Sequence, residues 1–183
     1  MLQAHGISDI HIMDCHTPLP ISNHYSTPST LGTDRLAGIV GGYYSAGGIY
    51  PVLCIDIGTA ITYDFITSRG EYMGGNISPG IDLRFQSLHE HTRRLPLIEA
   101  SENYPILGDS THTAILSGVM TGVLHEIRGY IATYRRKYNG LYVFFTGGSE
   151  IYFANRLKSR IFADENLVLK GLNIILNHIN VKK

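Results

Sequence analysis

Cysteine is scarce. Cys15 and Cys54 are the two in 183 residues, too few for a disulfide framework. Cys54 lies inside an apolar run and reads as a small buried hydrophobe. An excess of charge is also missing: 15 basic and 15 acidic residues give a formal net charge of zero. That removes the basic footprint of a nucleic-acid binder, so no nucleic-acid partner is expected. The densest basic run, Arg135-Arg136-Lys137, falls at the end of an expected helix, where it complements the helix dipole. No apolar run approaches the length of a membrane span, so no membrane partner is expected. Met1 to Ser8 lack a charged stretch followed by an apolar one, the pattern of a secretory leader. The default expectation is a soluble cytoplasmic protein.

A convincing metal cluster is lacking too. There are nine histidines. His89 and His91 stand two apart, which is not a helical ligand spacing, and His16 and His24 flank a proline loop. Adjacent residues seldom face each other, so Cys15 and His16 are not read as a nucleophile pair.

What is present is a mixed α/β pattern. Residues 7–13 read as a short strand, and a helix is expected near residues 35–42. Gly47 and Gly48 with Pro51 suggest a domain boundary within residues 47–51. Residues 1–48 and 49–183 would then be separate units. Strands are expected at about 52–57, 60–67 and 71–77, with a hairpin turn at Ser68-Arg69-Gly70. A helix follows over residues 81–90. The longest helix is expected at about 113–138. There Ile115, Val119, Val123 and Ile127 form a stripe widened by Leu116, Met120, Leu124 and Ile131. Gly118 and Gly122 on that helix cost roughly 1 kcal/mol each relative to alanine, so close packing on a neighbour is expected there. A strand at 141–145, a helix from about Ser149, a short strand at 166–169 and a last helix at 172–179 complete the pattern.

Three segments carry chemistry. In Asp56-Ile57-Gly58-Thr59-Ala60-Ile61-Thr62-Tyr63-Asp64 an acid closes one strand and hydroxyls open the next. A buried hairpin would explain the glycine. The carboxylate ending an apolar strand still needs a cation or donors. A phosphate with its counter-ion suits the turn's amides, hydroxyls and acid. Thr146-Gly147-Gly148 ends a strand before a helix, either as a simple tight turn or as a place where a flat ligand meets the backbone. Leu31-Gly32-Thr33-Asp34-Arg35 reads locally as a helix start with a solvated arginine. The sharper alternative gives Asp34 a proton to accept and Arg35 an anion to hold.

Together these segments resemble the type III pantothenate kinases. Tyr25-x-Thr27-Pro28, Gly32-Thr33-Asp34-Arg35, Asp56-x-Gly58-Thr59-Ala60-x-Thr62-x-Asp64, Gly74-Gly75-Asn76-Ile77-x-Pro79-Gly80, Thr146-Gly147-Gly148 and Leu167-Val168-Leu169-Lys170-Gly171-Leu172 occur in the family's order. The resemblance implies an α/β, actin-like ATPase fold of ribonuclease-H-like halves, here one complete half and the tail of the other. It implies ATP-dependent phosphorylation of pantothenate, the first step toward coenzyme A, by a homodimer. Asp34 matches the acceptor of the substrate's hydroxyl proton. Tyr25, Gly32, Thr33 and Arg35 match the rest of the pantothenate site, and Thr92 a contact supplied across the dimer. Asp56 matches the ligand of a potassium or ammonium ion, Thr59 an ATP contact, and Gly147 and Gly148 the adenosine segment. Magnesium would arrive with ATP.

One departure stands out. Nothing in Met1 to Asp14 matches the D-x-G-N-T phosphate loop on the family's first strand. The expectation is a fragment or a late start, with weak or absent turnover by this chain alone. Two other readings stay open: a non-catalytic binding or regulatory protein on the same scaffold, and another actin-like phosphotransferase such as a sugar kinase.

Overall fold

The apolar run Val52–Ile57 becomes a central strand of a six-stranded sheet. The computed structural model describes residues 10–148, 151–154, 156–157 and 161–181. In chain order the strands are β1 (Ser22–Asn23), β2 (Val52–Ile57), β3 (Ala60–Ile66), β4 (Glu71–Pro79), β5 (Tyr142–Thr146) and β6 (Phe162–Ala163). Their spatial order is β1-β4-β3-β2-β5-β6. β2, β3 and β4 form an antiparallel meander, and β5 and β6 extend it in parallel. The helices are α1 (Thr33–Ser45), α2 (Ile81–Glu90), α3 (Thr111–Lys137), α4 (Ile151–Ala154) and α5 (Leu167–Val181).

Side-chain alternation on the central strands sorts two cores. Leu53, Ile55 and Ile57 of β2, with Ile61, Tyr63 and Phe65 of β3, face α2 and α3. The α3 stripe is buried there as its periodicity requires, from Ile115 to Ile131. Ser110 caps α3: its hydroxyl accepts from the Thr113 amide at 3.2 Å, and the Thr113 hydroxyl accepts from the Ser110 amide at 3.0 Å. On the other face, Val52, Cys54, Ile66 and Phe144 meet Leu36, Ile39 and Tyr43 of α1 and Leu167 of α5. Cys54 is buried, as expected.

Helices α1 and α5 cross with almost no space between backbones. A Cβ on Gly41 would overlap the Leu167 carbonyl, and one on Gly171 would overlap the Ala37 carbonyl.

Three expectations change, and a fourth falls outside the described residues. Residues 10–13 are not a strand, and residues 1–9 lie outside the described set. The edge strand is β1 instead. Residues 167–169 are helical, not extended, so the expected strand and last helix merge into α5. The apolar run Leu167-Val168-Leu169 was too short to fix its own period. In α5, Leu167, Gly171 and Ile175 share the buried side at spacing four. The expected helix start at Ser149 falls outside the described residues, and α4 is described from Ile151. Finally, Gly118 and Gly122 pack on nothing among the described residues: a Cβ on either would meet open space.

Gly171→Ala should destabilise the fold by about 1–3 kcal/mol, because backbone cannot yield to the added methyl as a side-chain tip can. Urea unfolding followed by circular dichroism measures it. Unchanged stability would contradict the crossing described here.

Candidate active site

The first turn of α1 and the ends of β2, β3 and β5 meet on the α1 face of the sheet. Register fixes the rows. Asp56 on β2 lies between Thr62 on β3 and Thr146 on β5, while Asp64 pairs with Cys54 one row deeper. Pleating turns Asp56, Thr62, Asp64 and Thr146 to the same face. α1 then delivers Asp34 and Arg35 to it.

Arg35 is not solvated. Its Nε donates to both oxygens of Asp64 at 3.1 Å, and its Nη2 to Oδ1 at 2.6 Å. The two side chains are 8% and 3% exposed. Burial alone would lower the arginine's pKa, but the hydrogen bond and charge of Asp64 outweigh it and raise it. The Tyr72 hydroxyl also donates to Asp64 Oδ1 at 2.6 Å. Desolvation, then the neighbouring carboxylate, push that phenol far above its ordinary value. Tyr25 stacks on Tyr72 with centroids 6.2 Å apart, and the Arg35 guanidinium lies 5.7 Å from the Tyr25 ring centre. Tyr25 and Arg35, matched to one substrate loop by sequence, are therefore neighbours.

Asp56 is half-buried at the mouth of the cluster. Its pKa is raised, first by desolvation and then by the negative charges of Asp34 and Asp64. The charge of Asp34, the other acid singled out by sequence, thus reaches Asp56 from 22 positions away (56 minus 34). Asp34 itself is exposed on the first turn of α1, and its Oδ1 accepts from the Arg35 amide at 2.8 Å. Gly32 caps this helix without a side-chain bond, and a Cβ there would overlap the Asp34 carboxylate. Thr33 is the first residue of α1.

Gly147 lies against Asp56. Its φ is +92°, and a Cβ on it would overlap the Asp56 carboxylate. Gly148 borders open space, and Thr59 is exposed on the hairpin turn beside them. Thr92 does not join this group within one chain. It follows α2 on the opposite face, where its hydroxyl donates to the Leu88 carbonyl at 2.7 Å. Sequence reading named Asp64 within its motif but gave it no task, and it missed Tyr72. Alternation along β4 could have flagged Tyr72; the partner of Arg35, 29 positions away, could not be read locally.

Among the described residues the charges of Asp34 and Asp64 reach Asp56 while Arg35 is bound to Asp64, and that excess of negative charge suits a cation. Asp56 is the residue that fits one, because a carboxylate held half-buried beside two others gains from a counter-ion. Among the described residues no group of three or more His, Cys, Asp or Glu could hold a metal ion.

A family model described as type III pantothenate kinase matches residues 1–133. The chain belongs to the type III pantothenate kinase family. A curated member from Bacteroides fragilis is 52% identical over 168 residues, covering 92% of this chain and 69% of that protein. One from Azobacteroides pseudotrichonymphae is 55% identical over 159 residues, covering 87% of this chain and 64% of its own length. A solved structure from Campylobacter jejuni, described as a Baf family transcriptional activator, aligns with a TM-score of 0.63 at 25% identity. It covers 88% of this chain and 69% of that one. The expected α/β class holds: a mixed sheet with helices on both faces. No described helix is long and apolar enough to cross a membrane.

Because its pKa is raised on folding, Asp56 binds a proton more tightly in the folded chain than in the unfolded one. Its ionisation costs stability as pH rises from the ordinary value of 3.8 through the folded value. Asp56→Asn should therefore gain stability relative to the parent as pH rises from about 4 to 7, without potassium present. Melting curves across that range measure it. A stability difference that is flat with pH would contradict the charged cluster.

Proposed function

We propose that this chain carries the pantothenate-phosphorylating site of its family: transfer of the γ-phosphoryl group of ATP to the primary hydroxyl of pantothenate, releasing ADP. The observation that carries the reading is the gathering of Arg35, Asp64, Asp56 and Gly147 at one end of the sheet's α1 face, with Asp34 beside Arg35 on the first turn of α1. Asp34 orients the hydroxyl and accepts its proton. In a loose transition state that proton leaves late, so alignment matters more than basicity. Arg35, fixed by Asp64, and Tyr25 beside it form one wall of the pantothenate site with Gly32 and Thr33. Thr59 and its turn meet the phosphates, and Gly147 and Gly148 flank the adenosine. Asp56 would hold potassium or ammonium, which supplies positive charge beside the phosphates. Magnesium would enter on the phosphate oxygens of ATP. Residues 1–48 belong to one half of the fold and 49–183 to the other. The protein acts in the cytoplasm.

The same reading makes the protein a homodimer through its α2–α3 face. A groove there is lined by Leu83, Leu88, Leu95, Ala114 and Gly118. Gly118 and Gly122 leave open space above α3 that a second helix can enter.

Two measurements test these statements. Phosphopantothenate formation with ATP and potassium should fall by about 10²-fold or more in Asp34→Asn, with the circular dichroism spectrum unchanged. A variant as fast as its parent, or a parent that neither binds nor phosphorylates pantothenate, would contradict the site. Gly122→Leu should yield a folded monomer in sedimentation; an undisturbed dimer would contradict the proposed face.

A further inference from the structure

A second polar cluster lies on the α3 side of the sheet. Glu126 projects from α3, and its Oε1 accepts from the Tyr63 hydroxyl at 2.8 Å and the Ser78 hydroxyl at 2.5 Å. Its Oε2 accepts from Arg84 Nη2 at 2.6 Å. Side-chain exposure is 22% for Arg84 and 24% for Glu126, so the pair is largely shielded. Burial would raise the glutamate's pKa, but hydrogen bonds from Ser78, Arg84 and Tyr63 outweigh it and hold it below its ordinary value. The glutamate stays ionised at neutral pH.

Arg84 does a second thing. Its Nε donates to the Pro79 carbonyl at 2.7 Å, at the corner where β4 becomes α2. Pro79 pairs with Ala60 across the hairpin, and the next residue, Gly80, donates its amide to the Thr59 carbonyl at 2.9 Å. The contact is backbone on backbone: a Cβ on Gly80 would overlap the carbonyls of both Gly58 and Thr59. The Gly58 amide in turn donates to the Ala60 carbonyl at 3.1 Å. The chain of contacts runs from α3 through Glu126 and Arg84 to Pro79-Gly80, and from there to the turn bearing Thr59.

We propose that Arg84 and Glu126 are positioning residues that fix the Gly58-Thr59 turn for the nucleotide's phosphates, an inference that rests on the phosphate reading of that turn. Tyr63 and Ser78 hold the carboxylate in aim. Charge alone is not enough, because one guanidinium edge must serve a carboxylate and a carbonyl together. Lysine offers no such fork.

Amide hydrogen exchange on the full chain without ligand tests the clamp whether or not the kinase reading holds. Arg84→Met and Glu126→Gln should each speed exchange at the Gly58 and Gly80 amides about tenfold, with the Ile39 and Val40 amides of α1 unchanged. The double variant should be no faster than either single one. Arg84→Lys, the milder change, should loosen the same two amides. Affinity for a non-hydrolysable ATP analogue should drop about tenfold in Arg84→Lys, with pantothenate affinity unchanged. Unchanged exchange at Gly58 and Gly80, or an equal rise across β2, β5 and α1, would overturn the clamp. A parent chain that binds no nucleotide would instead remove the phosphate reading, with exchange still deciding the clamp.

Discussion

The buried pair of Arg35 and Asp64 is the constraint on which the site depends. It ties the first turn of α1 to β3, and so sets where the neighbouring Asp34 can stand. Removing one partner of such a pair leaves an uncompensated buried charge, which costs about 3–5 kcal/mol. The sequence supports the pair on every side. Tyr72 donates to the carboxylate, Tyr25 lies beside the guanidinium, and the glycine contacts of α1 with α5 let the helix lie close to its neighbours. Position and charge are thereby fixed before any ligand arrives.

Fixing one positive charge deep in the cluster has an electrostatic consequence. Arg35 is engaged by Asp64, and the charges of Asp34 and Asp64 reach Asp56. A triphosphate would add to that repulsion unless positive ions came with it. The opposite face of the sheet is organised differently. There the carboxylate of Glu126 is matched by an arginine and two hydroxyls, which suits a structural support.

Much of this was legible in the chain itself. The central strand Val52–Ile57 followed from an unbroken apolar run ending in an acid, and the α3 stripe from its period. The grouping of Asp34, Arg35 and Asp56 came from the resemblance, and the geometry brings them together. What sequence missed was long-range or ambiguous. Nothing local says that Arg35 turns inward to Asp64 rather than out to water. Leu167-Val168-Leu169 fits a strand or a helix until Gly171 meets α1. Gly118 and Gly122 suggested a packed neighbour, yet the described residues of the chain supply none.

The central claim is that Asp34, Asp56 and Asp64 share one electrostatic neighbourhood. Carbon-13 NMR of the side-chain carboxyl of Asp56, titrated in the ligand-free protein without potassium, tests it most directly. The account predicts a pKa above the ordinary aspartate value that drops when Asp34 is replaced by asparagine. An ordinary pKa, indifferent to Asp34, would contradict it.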